Sequence, residues 1–138
     1  MKKPDNVMYE LATIRLLGGF QLLEEALKVY ISVTYELIQD CLNNKIPFNY
    51  SSTDIENYPL ERLLSIFTKL SKNEELYSRL NKLRDVRNHV AHQSLVAIIG
   101  SDENKINDKL NNFLEHNNDV IECLGLLIVE IRALDIKR

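Results

Sequence analysis

A cluster of polar side chains near position 90 carries the residue types that can do chemistry. The run from Arg87 to His92 reads Arg-Asn-His-Val-Ala-His. It places a fixed cation, an amide and two imidazoles within about one and a half helical turns. Histidine titrates near neutral pH, and a guanidinium is a planar donor that matches phosphate oxygens. The combination favours a site that handles phosphate groups and protons.

A predicted helix beginning at Asn73 must position these side chains. At about 100° per residue its apolar residues form one stripe, and Arg87 falls inside that stripe. The stripe consists of Leu76, Leu80, Leu83, Val86 and Val90. Because a guanidinium keeps its charge, Arg87 needs a carboxylate, a phosphate or a water-filled cleft. On the adjoining face Arg84, Asn88 and His92 follow one another at steps of four residues, which predicts a row of phosphate-compatible donors beside a base.

Structural roles are alternatives for each of these residues. Glu24 lies at the edge of the first helix's apolar stripe, so Arg87 is expected either to form a structural bridge to it or to be held by it for catalysis; the two roles are compatible. His92 is either a site residue or a helix-end histidine favoured by the dipole. His89 projects to another face, where an exposed ion pair with Asp85 is the expected arrangement.

Length and composition place ordinary bounds on the chain. Its 138 residues predict one domain, residues 1–138, and 45% apolar with 27% charged residues is typical of a globular protein. A net charge of −3 argues against a large non-specific nucleic-acid surface. The basic cluster on the third helix is interpreted either as a solvated side or as a local RNA track. It comprises Arg79, Lys82, Arg84 and Arg87.

Several other classes of site lack their sequence signals. No apolar run approaches the roughly 18 residues of a membrane span, so a cytoplasmic location is the default expectation. Cys41 and Cys123 lie far apart without metal-ligand spacing and are predicted to be small core residues. His116 is predicted to lie on the solvated surface. There is no glycine-rich phosphate loop and no metal site is predicted, because His89 and His92 have no third ligand in view.

Apolar periodicity predicts helices along the whole chain. A long first helix is predicted from Asp5 to about Asn43, and a polar connection from Lys45 to Tyr58. A second helix is predicted from Pro59, a third from Asn73 and a fourth from about Asp102 to Lys137. These elements predict an all-α fold, an antiparallel four-helix bundle, with a short fifth helix as a variant.

Two local signals refine this prediction. Asn73 is expected to cap the third helix, with acidic residues in its first turn. Gly18 and Gly19 are expected either to kink the first helix or to let another backbone approach closely.

The run from Leu83 to His92 resembles the signature of the HEPN superfamily, whose members share the pattern Arg-Asn-x-x-x-His near the end of an internal helix. The resemblance covers this short motif and the helical layout, and it identifies no subfamily. It implies a HEPN-like helical fold, and many members are metal-independent endoribonucleases that act as dimers. Many belong to toxin–antitoxin, phage-defence or RNA-processing systems.

Transferred to this sequence, the resemblance assigns Arg87 and His92 as the catalytic pair and Asn88 as the polar residue beside the arginine. Metal-free RNA cleavage needs a base for the ribose 2′-hydroxyl, an acid for the leaving 5′-oxygen and a cation for the charge on phosphorus. A two-fold homodimer would supply two histidines and two arginines to one cleft, and no cofactor is expected. Arg84 and Ser94 are predicted to contact RNA phosphate.

The position of Ser94 also bears on partners. Some members carry a tyrosine there that a nucleotidyltransferase antitoxin modifies, whereas this chain has serine, which puts that mode of control in doubt. The alternative function is a non-catalytic HEPN-type module that works through dimerisation, nucleotide binding or contact with a partner protein.

Overall fold

Four helices make up almost all of the regular structure. The computed structural model describes the backbone of residues 4–99 and 103–137, and the side chains of residues 8, 11–90 and 112–137. Within these ranges there is no strand. The elements are α1 (Pro4–Leu42), a 3₁₀ helix (Ser52–Ile55), α2 (Leu60–Leu70), α3 (Glu74–Ile99) and α4 (Glu103–Ile136). The predicted all-α class and the packing of four helices against one another are confirmed.

The predicted signals at the helix ends act in the structure. Asn73 Oδ1 accepts a hydrogen bond from the Leu76 amide at 3.1 Å, so Asn73 caps α3 as predicted. Pro59 is the N-cap residue of α2, one position before the first helical residue. Its missing N–H costs nothing there, because the first amides of a helix have no partner within the helix.

The connection after α1 turns back along that helix. Gln39 Nε2 donates to the Phe48 carbonyl oxygen at 2.6 Å, and the Tyr50 hydroxyl lies 2.9 Å from Ser32 Oγ. Successive residues of the connection therefore meet earlier and earlier turns of α1. This return explains how α2 begins beside the middle of α1 rather than at its end.

Polar contacts show that α3 and α4 are antiparallel. Asn73 Nδ2 donates to Glu130 Oε1 at 2.8 Å, and further along α3 Arg79 Nη2 lies 2.6 Å from Glu122 Oε2. Rising positions on α3 thus meet falling positions on α4. The arrangement places the motif end of α3 near the earlier half of α4.

Gly19 allows α1 and α4 to approach closely. A Cβ atom at Gly19 would lie 2.8 Å from Val120 Cγ1, so Val120 or the helices would have to shift to admit any other residue there. α1 is one continuous helix through Gly18, and at Gly19 the atoms of α4 that approach closely belong to the Val120 side chain rather than to the backbone. Leu11, which precedes Gly19 in α1, lines one groove with Leu114, which precedes Val120 in α4. Rising positions on the two helices therefore meet, so α1 and α4 are parallel.

The core combines the inner stripes of all four helices. The buried stripe of α1 ends at Thr34, so Cys41 lies two turns beyond the core and is exposed; its prediction as a core residue was wrong. Cys123 is fully buried, as predicted. The largest fully buried side chains include Leu16, Phe20, Leu23, Leu27, Leu63, Phe67, Leu76, Leu80 and Leu127.

None of the described helices is both long and apolar enough to cross a membrane.

Candidate functional site

The motif run lies within α3 and overlaps the last of the packed core residues of that helix. Val90 is buried, whereas Asn88 and His89 are exposed on other sides of the helix. The backbone of His92 and Ser94 is helical, but their side chains lie outside the described residues. The described part of the site is therefore the segment that begins at Arg84.

Arg87 pairs with Glu24 of α1. Arg87 Nη2 lies 3.2 Å from Glu24 Oε1, and the side chains are 36% and 18% exposed. The carboxylate thus lies deeper than the guanidinium that it contacts. A guanidinium has five N–H donors, so one contact with Glu24 leaves others for a phosphate. Glu24 is in place to orient Arg87, which is the arrangement predicted from the edge of the α1 stripe.

Arg84 and Asn88 differ in their surroundings. Asn88, the residue after Arg87 in α3, is exposed. Arg84 is partly buried and contacts the acid next to it, with Nη2 3.2 Å from Asp85 Oδ1. Asp85 thus pairs with Arg84, and no ion pair of the described residues joins it to His89, so the predicted His89–Asp85 pair was wrong. Because Asp85 is 71% exposed, its contact with Arg84 is solvent-screened and weak enough for an incoming phosphate to compete with it.

Arg79, at the other end of the basic cluster, is engaged with α4. Its Nη2 lies 2.6 Å from Glu122 Oε2 and 4.0 Å from Asp119 Oδ1. The hydrogen bond with Glu122 raises the pKa of the Arg79 guanidinium further above its ordinary value. Arg79 is therefore a bridge between helices, and the cluster does not form one uninterrupted basic track.

His116 is partly buried, so it is less exposed to solvent than predicted. It lies in a groove between α3 and α4 together with Lys82, Val86 and Asp119. The acidic and amide neighbours of His116 in the chain suggested a solvated position, but its place on α4 turns it towards α3. Cys123 lines the same groove, and burial raises the pKa of its thiol more than Arg79 lowers it. The thiol is therefore kept protonated, which makes it a poor nucleophile.

Asn81 is a polar residue of this face that sequence reasoning did not single out. Its Oδ1 atom is buried and has no hydrogen-bond partner in the part of the chain that the structure describes. At helical spacing Asn81 follows the same side of α3 as Arg84 and Asn88, and that spacing is the signal that identifies it. An unmet buried amide oxygen costs about 1–3 kcal/mol.

Comparisons with known proteins give no independent assignment. No protein-family model, curated protein or solved structure matches this chain significantly. Among the described residues no group of three or more histidine, cysteine or acidic side chains has a metal-binding arrangement. The motif and the contacts of Arg87 are therefore the features of this chain that indicate a function.

Proposed function

We propose that this chain is a HEPN-type endoribonuclease that cleaves RNA without a metal ion. The observation that carries the proposal is the Arg87–Glu24 contact: a carboxylate 18% exposed holds a more open guanidinium at the first position of the Arg-Asn-x-x-x-His pattern. Such an arrangement orients a phosphate-binding fork in advance, which lowers the cost of stabilising charge in the transition state. Asn88 is exposed beside it and free to contact the same phosphate.

The chemistry assigned to the site is a transesterification within the RNA. His92 accepts the proton of the ribose 2′-hydroxyl, and the 2′-oxygen attacks phosphorus. The bond from phosphorus to the 5′-oxygen breaks, and a second histidine protonates that oxygen. Arg87 binds the non-bridging oxygens, where negative charge accumulates. The products are a 2′,3′-cyclic phosphate and a 5′-hydroxyl.

A two-fold homodimer supplies the second proton-transfer group. One chain has a single histidine at the motif position, so a cleft shared by two copies of α3 would contain the acid and the base together. In a toxin–antitoxin or phage-defence setting, the partner would be an antitoxin such as a nucleotidyltransferase. Ser94 and Arg84 are the residues assigned to further phosphate contacts.

A second candidate function is a non-catalytic helical module of the same type. The observation in its favour is that the arginines of the basic cluster already contact acids: Arg79 contacts Glu122 and Arg84 contacts Asp85. Such neutralisation lowers the local attraction for RNA. If RNA binding is weak for this reason, the surface of α3 around Arg87 would serve in dimerisation or in binding a partner protein.

The deciding experiment is an RNA cleavage assay in EDTA with analysis of the product ends. Wild-type protein is expected to yield cyclic phosphate and 5′-hydroxyl ends. His92→Ala is expected to abolish cleavage, whereas His89→Ala, a matched histidine change on the same helix, should retain it. Cleavage that needs added metal, or that persists in His92→Ala, contradicts the assignment. An inactive wild-type protein would favour the non-catalytic module.

A further inference from the structure

The outer side of α1 carries an unusual row of side chains that the core does not use. Residues separated alternately by three and four positions lie on one side of a helix. On the outer side of α1 such a row has apolar residues at both ends and in the middle. Leu11, Leu22 and Val29 are 52%, 59% and 48% exposed, which is high for large apolar side chains. We name this row the α1 seam. It consists of Met8, Leu11, Arg15, Gly18, Leu22, Glu25 and Val29.

The α1 seam is self-complementary when two copies meet antiparallel. Pairing residues equally distant from position 20 places Leu11 opposite Val29 and Gly18 opposite Leu22. The same register places Arg15 opposite Glu25, so the two charged residues of the seam meet with opposite sign in both halves of a two-fold pair. In heptad terms each pair joins an a position with a d position, which is the layering of antiparallel coiled coils.

The outer side of α4 extends this surface. Leu114 lines the same groove as Leu11, and Ile121 and Ile128 continue the row with 58% and 46% exposure. A Cβ atom at Gly18 or Gly125 would meet nothing within 4 Å, so both glycines face open space. A partner helix can therefore approach closely at the centre of the face.

The extent of the surface suits a dimer. From Met8 to Val29 the seam is about 30 Å long, and two helices side by side are about 20 Å wide. The resulting roughly 600 Å² is close to the about 800 Å² that each partner buries in a standard interface. We infer that the α1 seam, with the adjoining face of α4, is an interface through which two copies of this chain associate antiparallel.

This interface is separate from the shared cleft of the proposed nuclease. Glu24 and Leu22 point about 160° apart around α1 at 100° per residue. Association through the seam therefore leaves the Arg87–Glu24 contact on the opposite side of α1. The inference does not depend on the proposed function, and its test uses no RNA.

The test exploits the opposite charges of the seam. Arg15→Glu makes a seam with two acidic residues and Glu25→Arg makes one with two basic residues. Each variant alone is expected to weaken self-association at least tenfold in sedimentation equilibrium, because like charges then meet at both ends. An equimolar mixture of the two variants is expected to recover the wild-type assembly, because both cross-pairs regain opposite charges.

Matched controls and contrary outcomes are available in the same chain. Lys69→Glu and Glu61→Arg make the same charge changes on the exposed side of α2 and should leave the assembly unchanged. Circular dichroism checks that all variants remain helical. If the wild-type protein is monomeric at about 100 µM, the inference is wrong. The same conclusion holds if the monomer binds lipid vesicles rather than a second copy of the chain. Single variants that associate like wild type, or a mixture that recovers nothing, also overturn the inference.

Discussion

Two arginines of α3 make similar contacts with different consequences. Arg79 and Arg87 lie about two turns apart, and each contacts a carboxylate of a neighbouring helix. The partners of Arg79 on α4, Glu122 and Asp119, are 63% and 55% exposed, whereas Glu24 on α1 is 18% exposed. A solvated bridge contributes little, whereas a carboxylate removed from water depends on its cation. The two contacts therefore differ in the burial of the acid, which is greater for the partner of Arg87 than for those of Arg79.

The largest expected effect of this difference is on RNA cleavage. Under the proposed function, Arg87→Ala is expected to lower the initial rate of RNA cleavage about 10²–10³-fold, because the donors assigned to the charge on phosphorus are lost. Arg79→Ala removes an arginine from the same helix and should change the rate less than about threefold, since only the groups at the reacting phosphate carry this term. The measurement is the rate of cleavage of single-stranded RNA in EDTA by each purified variant.

Arg87→Lys separates the role of charge from that of shape. A lysine keeps the cation but loses the planar fork, so a loss of cleavage nearly as large as that of Arg87→Ala would show that paired donors matter. Circular dichroism of each variant checks its helical content. Equal losses in Arg79→Ala and Arg87→Ala would remove the distinction between the two contacts.

Sequence reasoning could reach the Glu24 contact but not the partners of Arg79. Glu24 lies at the edge of a long regular stripe, and the predicted bounds of α1 differ by about one residue at each end from the observed bounds, Pro4–Leu42. A cation inside the facing stripe then had one nearby acid to contact. Glu122 is 43 residues from Arg79, and that contact depends on how α3 and α4 are rotated and directed.

The same limit applies to His116 and Cys41. The polar neighbours of His116 along the chain indicate a solvated position, whereas its partial burial depends on which side of α4 faces α3. Cys41 continues the apolar period of α1, but the period carries no information on where the packed neighbours end. Periodicity therefore predicts elements and inner stripes, while the pairing of charged residues across helices requires their three-dimensional arrangement.

A smaller effect is expected on stability. Glu24→Gln keeps the shape of the side chain but leaves Arg87 without a carboxylate, and we expect it to lower the free energy of unfolding by about 1–2 kcal/mol. This value lies between those of exposed and fully buried pairs, because Arg87 is 36% exposed. Glu122→Gln should cost about 0.5 kcal/mol, as a solvated pair does. Urea denaturation at pH 7 measures both, and equal losses would show that the burial of Glu24 has no energetic weight.

The last expected effect is a pH dependence of stability that involves Cys123, the thiol beside Arg79. Burial raises the pKa of the Cys123 thiol above its ordinary value of 9.0, while the nearby Arg79 lowers it by less. The folded state therefore binds the thiol proton more tightly than the unfolded state. Below about pH 9 both states hold that proton, and the thiol's contribution to stability is fully present. Above that pH the unfolded chain ionises first, so stability falls by up to about 1.4 kcal/mol per pH unit until the folded thiol also ionises.

Comparison of variants isolates this group. The two proteins to compare are Cys41→Ser and the double variant Cys41→Ser/Cys123→Ala. Tyrosine ionisation is common to both, so the difference between their slopes of unfolding free energy against pH is due to Cys123 alone. Urea unfolding from pH 8 to pH 10.5 should show the steeper fall in Cys41→Ser. Because Arg79 is the cation beside the thiol, Arg79→Ala should extend the fall to higher pH, whereas Arg87→Ala should leave the slope unchanged. If the unfolding free energy changes with pH equally in the proteins with and without Cys123, the thiol has the same pKa in the folded and unfolded chain. Arg79 would then differ from Arg87 only in the exposure of the acids that it contacts.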